Sequence, residues 1–471
     1  MGKKLTIKIT SVINIILTII TAALYIRYNS SNIVSFDKVI NILAGVSIIL
    51  VIWYVILCIK EHVKLYDFKL WYIIFNTLFI MGQVLVCFFG KGEEFIYWKI
   101  IFRVEPQYIL GGGLLALAIQ QAIVTALFFK TKPLSESKKQ KKYSSKLLWY
   151  TGVSVFLLLI PFKIYYDLVY IKTAKLATGY VSSAYIDING MVTCLGLVAV
   201  TGLFYMIESK YLSYKAMKKL MIPIILYFVA VMALTGDRRY TVVALICIVL
   251  SFIHSYKIKI KPITIIGVLL LGSIALSTLS VIRSTRSTGG IDSIFTFLSL
   301  VLEKSFSFDI IWDSLSEFGL TLMCYTYTFK YIPAVIPFKY GEHLLLNLIA
   351  ILPVGPLLNS WKARVDIHTQ VFSMTNTPVG TAFGSDLYGN FGTFSILVAF
   401  LFGLLISKLL NVKKIEESNY EAAKYFSLMY IFINMVRAGF AELFRFGFYS
   451  YIIPVIIMAL LSRKSSKKVE N

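Results

Sequence analysis

Apolar residues in this chain neither recur at the 3.6-residue period of an amphipathic helix nor alternate as in a half-buried strand. They gather into about a dozen runs, each close to the ~20 residues a helix needs to cross hydrocarbon. The pattern predicts spans near 5–26, 38–59, 70–90, 109–130, 147–166, 190–208, 220–235, 240–256, 263–282, 392–408, 423–438 and 448–462. Two further pieces, 318–338 and 343–358, are ambiguous. They come as a pair, so counting them leaves every other loop on the same side. The expected fold is an all-α polytopic membrane protein of about 12 transmembrane helices (12–14 with the ambiguous pair), a single integral membrane domain over 1–471. The first run starts basic, as a signal peptide does, but it is long and many spans follow, so it reads as a retained helix.

Composition agrees. With 58% hydrophobic and 15% charged residues in 471, the chain has too little polar surface to cover a soluble globule. Cys58, Cys87, Cys194, Cys247 and Cys324 lie singly in apolar stretches, a spacing that suggests neither a zinc site nor a disulfide framework.

Charge supplies the orientation. Lysines cluster in alternate connections: 60–69, 130–146, 210–219, 257–261, 408–424 and the 464–468 tail, joined by Lys3, Lys4 and Lys8. The positive-inside rule places these clusters, and both termini, on the cytoplasmic side of the cytoplasmic membrane. Solvated loops beside anionic lipid account for the net charge of +23, which needs no nucleic-acid partner.

Arginine follows the opposite rule. Arg27, Arg103, Arg238, Arg239, Arg283, Arg286, Arg364, Arg437 and Arg445 fall on the far side, and only Arg463 is cytoplasmic. Each could be an interfacial anchor or lipid-headgroup contact. As a set they suggest a demand for guanidinium, whose planar fork of donors suits phosphate and carboxylate as an ammonium does not. Arg238 and Arg239 sit in a tight turn, TGDRRY, and Arg283 and Arg286 open the largest external segment.

That segment, 283–391, is expected to be one large external loop with amphipathic or re-entrant helices, and is the candidate functional region. Its acids and its histidines, His343 and His368, form no metal-binding pattern, so arginine rather than a divalent cation is expected to neutralise phosphate, with no cofactor. His368 reads as a general base, a sugar contact or an ordinary loop residue. Trp361, Trp312, Tyr325, Tyr327, Tyr331 and Tyr340 suit sugar stacking and interfacial belts equally well.

Several fragments in order resemble the bacterial O-antigen and capsule repeat-unit polymerases, the Wzy-type family. They are the turn Gly236-Asp237-Arg238-Arg239; Ile282-Arg283 at the exit of a span; and the punctuation from Ser316-Glu317-Phe318-Gly319 through Tyr331-Ile332-Pro333 and Tyr340-Gly341 to Ile351-Leu352-Pro353. Gly380 through Gly392, containing Asp386, Tyr388 and Asn390, and Arg437-Ala438-Gly439 complete the set. The pattern covers roughly 230–445. It departs from the family at Asp237, where a small residue is common, and at Asp386, where glutamate is frequent.

The resemblance implies a metal-independent, GT-C-like glycosyltransferase acting on the outer face of the membrane. Its donor would be a growing glycan on undecaprenyl diphosphate, and its acceptor the non-reducing end of one lipid-linked repeat. It further implies that Arg238, Arg239, Arg283 and Arg286 hold the diphosphate, with Arg437 and Arg364 in the same pocket and Tyr388 and Trp361 as further substrate contacts. His368 or Asp386 would take the acceptor's proton, or Asp386 would serve as a structural cap. Membrane lipids, a chain-length regulator and a flippase are the expected partners. An O-antigen-ligase-like transferase and a flippase or transporter are the alternatives. The chain lacks the internal repeat expected of a transporter.

Overall fold

A computed structural model describes residues 9–28, 35–91, 104–129, 143–176, 190–235, 239–258, 299, 309–352, 355–375 and 380–467. Among the described residues all regular structure is helical, and eight helices are long and apolar enough to cross a membrane. The expected spans at 220–235, 240–256 and 423–438 are also helices, though outside those eight; the one at 263–282 lies outside the described residues. The ambiguous pair resolves into short pieces, α-helices Leu322–Tyr331 and Glu342–Ile349, neither of them among the eight.

The chain divides into two compact units. The first comprises Met1–Lys138, Leu315–Asn411 and Met435–Phe444. Its helices include α1 (Ile9–Tyr28), α2 (Phe36–Lys60), α3 (Phe68–Phe88) and α4 (Pro106–Phe128). Helix α4 is the axis of the unit: its apolar window is wholly buried, packed by α1, α2 and later helices. A Cβ on Gly112 would stand 2.7 Å from the Thr326 backbone, so only glycine permits that approach. Polar side chains join the helices where apolar packing supplies no driving force. Trp53 Nε1 donates to Asn14 Oδ1 at 2.7 Å, and Gln121 and Thr125 donate to the Asn14 carbonyl.

The second unit comprises Lys139–Ser314, Val412–Asn434 and Arg445–Asn471. It contains α5 (Ser145–Leu176), α6 (Gly190–Glu208), α7 (Tyr214–Thr235) and α8 (Arg239–Tyr256), with α5 against α6 as its principal pairing. Helix α5 runs ten residues past the predicted limit of 166 and carries two buried charges. Lys163 Nζ meets both oxygens of Asp167 at 2.5 and 2.6 Å, and Tyr227 Oη donates to the same carboxylate at 2.5 Å. Spaced one turn apart, the charges neutralise each other within the helix, which is why it continues through them.

Six further helices carry the region of interest: α9 (Asp309–Phe318), α10 (Leu322–Tyr331), α11 (Glu342–Ile349), α12 (Asn359–Val365), α13 (Ile367–Thr375) and α14 (Phe383–Phe391). They lead into α15 (Ser395–Leu409), α16 (Asn419–Ile433) and α17 (Phe440–Lys467). On α15, Leu397, Leu401, Leu405 and Leu409 are exposed in one i, i+4 row, while Ala399, Gly403 and Ile406 on other faces are buried. An exposed leucine row is costly in water and favourable in hydrocarbon.

Candidate active site

The start of α13 is set locally. Asp366 Oδ1 accepts from the backbone N–H groups of His368 at 3.0 Å and Thr369 at 3.4 Å, satisfying donors that the first helical turn leaves free. This fixes His368 in that turn, with its ring partly buried. Helix α14 begins at Phe383, placing Asp386 in its own first turn, fully buried.

The two side chains meet directly: His368 Nε2 contacts Asp386 Oδ1 as an ion pair. The other carboxylate oxygen, Oδ2, accepts the backbone N–H of Phe440 at 2.7 Å. Phe440 is the first residue of α17, so Asp386 caps a helix far from it in sequence and places negative charge at the positive end of the helix dipole. Gly439 makes room for this. A Cβ there would lie 2.9 Å from Asp386 Oδ2 and 3.3 Å from His368 Nε2.

A third group completes the cluster. His343, buried on α11, has Nε2 3.7 Å from Asp386 Oδ2. Asn347, one turn on, donates through Nδ2 to the His343 carbonyl at 2.8 Å and lies 3.1 Å from its Nε2. Its other ring nitrogen, Nδ1, is buried with no hydrogen-bond partner among the described residues. His368 Nε2 and Asp386 Oδ1 also lack hydrogen-bond partners of good alignment.

Burial by itself would lower the His368 pKa. The charge of Asp386, reinforced by Asp366 and Glu442, more than reverses this and raises it from 6.5 to about 9. At neutral pH the pair is therefore an imidazolium held against a carboxylate.

His343, His368 and Asp386 are metal-ligand types, with ligand atoms within 4.8 Å of one another. A set of two imidazoles and a carboxylate suits a shared proton or a bound cation alike.

Arg437 lies two residues before Gly439, hence within about 7 Å of chain from the glycine that makes room for the pair. It is partly exposed, and its guanidinium lies over the Phe79 ring, 5.6 Å from the centroid. Among the described residues it has neither a carboxylate nor a hydrogen-bond partner, so its donors are unclaimed by them.

Arg364 and Trp361 lie on α12; Arg364 is exposed, and its carbonyl accepts from Lys339 Nζ at 3.2 Å. Tyr388 is buried, donating from its hydroxyl to the Ile332 carbonyl at 3.1 Å between the Phe329 and Phe338 rings. Arg239 is the first residue of α8, while Arg238, Arg283 and Arg286 lie outside the described residues.

A family model described as O-antigen polysaccharide polymerase Wzy matches residues 7–469, nearly the whole chain. The chain belongs to the Wzy family. No curated protein and no solved structure matches it. Membership, with the apolar helices, makes it a bacterial membrane protein of O-antigen polysaccharide biosynthesis. In this Wzy protein His368 and Asp386 stand out separately in the sequence, whereas His343 and Asn347 carry no evident role there. The available signal was their spacing, which puts imidazole and amide on one helical face.

Proposed function

We propose that this Wzy protein polymerises undecaprenyl-diphosphate-linked oligosaccharide repeat units on the outer face of the bacterial inner membrane, with both termini in the cytoplasm. The acceptor hydroxyl attacks the donor's anomeric carbon, and the new carbon–oxygen bond forms as the sugar–phosphate bond breaks. The bonding electrons leave with the diphosphate, and His368, in its neutral form, takes the hydroxyl proton. Asp386 orients the ring and stabilises the resulting imidazolium. Arg437, with Arg238, Arg239, Arg283 and Arg286, stabilises the charge growing on the diphosphate, at ~2–4 kcal/mol per well-placed donor. No metal takes part.

The observation that carries the reading is the buried His368–Asp386 pair, set beside a segment whose arginine has unclaimed donors. The raised pKa of His368 favours a second role, as a cation facing the diphosphate, which the pH profile separates from the first.

The test is Arg239→Ala and Arg283→Ala, each followed by gel analysis of lipid-linked intermediates. Single-repeat material is expected to accumulate while polymer disappears. Loss of all glycan on the final acceptor would indicate a ligase, and absence of repeats from the outer leaflet a flippase. Unchanged chain lengths in both variants at normal abundance overturn the proposal.

A further inference from the structure

Helix α3 is not α-helical throughout. Between Phe68–Asn76 and Gly82–Phe88 it passes through a π-helical turn, Thr77–Met81, in which the wider winding shifts the residues it carries around the helix axis. Phe79 lies in that turn, buried, and its ring is the one beneath the Arg437 guanidinium.

The ring is fixed from two sides. Phe75 stacks on it at 5.9 Å and 22°, and Phe318 meets it edge-on at 5.4 Å. The crossing that delivers Phe318 is itself tight: a Cβ on Gly82 would stand 2.6 Å from the Leu315 carbonyl, and one on Gly319 2.1 Å from the Gln83 nitrogen. Ser316 Oγ donates to Gln83 Oε1 at 2.9 Å across the same contact. An irregular turn is thus held by a close helix crossing, and the residue it presents supports a cation with no other partner among the described residues.

Resting on the polymerase reading, we infer that Phe79 is a positioning residue: an aromatic platform that holds the Arg437 guanidinium face-down, with its N–H edge free for a phosphate oxygen of the lipid diphosphate. A guanidinium stacked on a ring keeps its in-plane donors available, which an ion pair would consume. The ring also restricts the long side chain before substrate arrives, so less freedom is lost on binding.

The experiment compares Phe79→Leu, Phe79→Trp and Arg437→Lys in purified full-length protein, using lipid-diphosphate-linked repeat as substrate and inorganic diphosphate as competitor. Phe79→Leu is expected to raise KM for the donor and weaken diphosphate inhibition, each by about fivefold, with kcat changed much less. Phe79→Trp, which keeps a ring face, restores both values. A purely structural role for Phe79 would instead lower abundance or kcat and leave diphosphate inhibition as it was, and that result overturns the inference. If Arg437→Lys impairs donor binding while Phe79→Leu does not, the platform is wrong and the polymerase reading stands. If Arg437→Lys changes nothing, the role assigned to Arg437 falls, and the platform with it.

Discussion

Each unit buries a carboxylate beside a histidine, and the two clusters differ in what is left over. In the second unit Glu208 is fully enclosed and both its oxygens are satisfied. Oε1 accepts from Ser251 at 2.8 Å, Oε2 from Ser255 at 2.7 Å, and His254 Nδ1 lies 3.1 Å from Oε2. In the first unit Asp386 is as deeply buried, but among the described residues its cluster leaves His343 Nδ1 without a hydrogen bond. Unmet polar atoms in an interior cost free energy that ordinary structure avoids. The closed cluster is a fastening between α6 and α8. The open one has capacity to spare for a group that arrives from outside.

Substitution should separate the two. His368→Ala is expected to lower polymerisation by about 10²–10⁴-fold, measured as repeat units joined per folded molecule, a loss far larger than any fall in the folded fraction. Equal losses of activity and fold would make the open cluster another fastening. Glu208→Ala leaves two serines and a histidine facing an emptied site. It should destabilise the protein by ~3–5 kcal/mol in a thermal melt in detergent, while turnover per folded molecule is retained.

The third distinction is in pH. His368 is raised from 6.5 to about 9, so the stability its ion pair contributes is complete below 6.5 and is lost as pH climbs through 9. The neutral base appears over the same interval. Turnover should therefore rise about tenfold per pH unit from near 6.5 and level off near 9, while the melting temperature declines. A turnover that falls across that range assigns His368 to the imidazolium role instead.

Much of the architecture was readable because hydrocarbon imposes a length on every apolar run: α1, α2, α4 and α6 lie close to their predicted limits. The limit at 166 was too short because two opposite charges one turn apart cancel, which a count of charged residues does not register. His368 and Asp386 stood out as polar residues in a candidate region, yet nothing local says that they touch. Their contact depends on how α13 and α14 pack, and the cap on Phe440 on a segment more than fifty residues further along. The seat of Arg437 was less visible still, since a π-turn leaves no mark in an unbroken apolar run.

The dual use of Asp386 divides labour within the pair. A side chain that also anchors the beginning of the final helix has little latitude, because any replacement must keep an acceptor for the Phe440 amide. Adjustment of the proton affinity therefore falls to the imidazole side, through Asp366 and Glu442, whose charges act on His368. Exchanging Glu442 for glutamine, or Asp366 for asparagine, which keeps an acceptor at the start of α13, is the route by which a chain of this design could shift its working range toward lower pH.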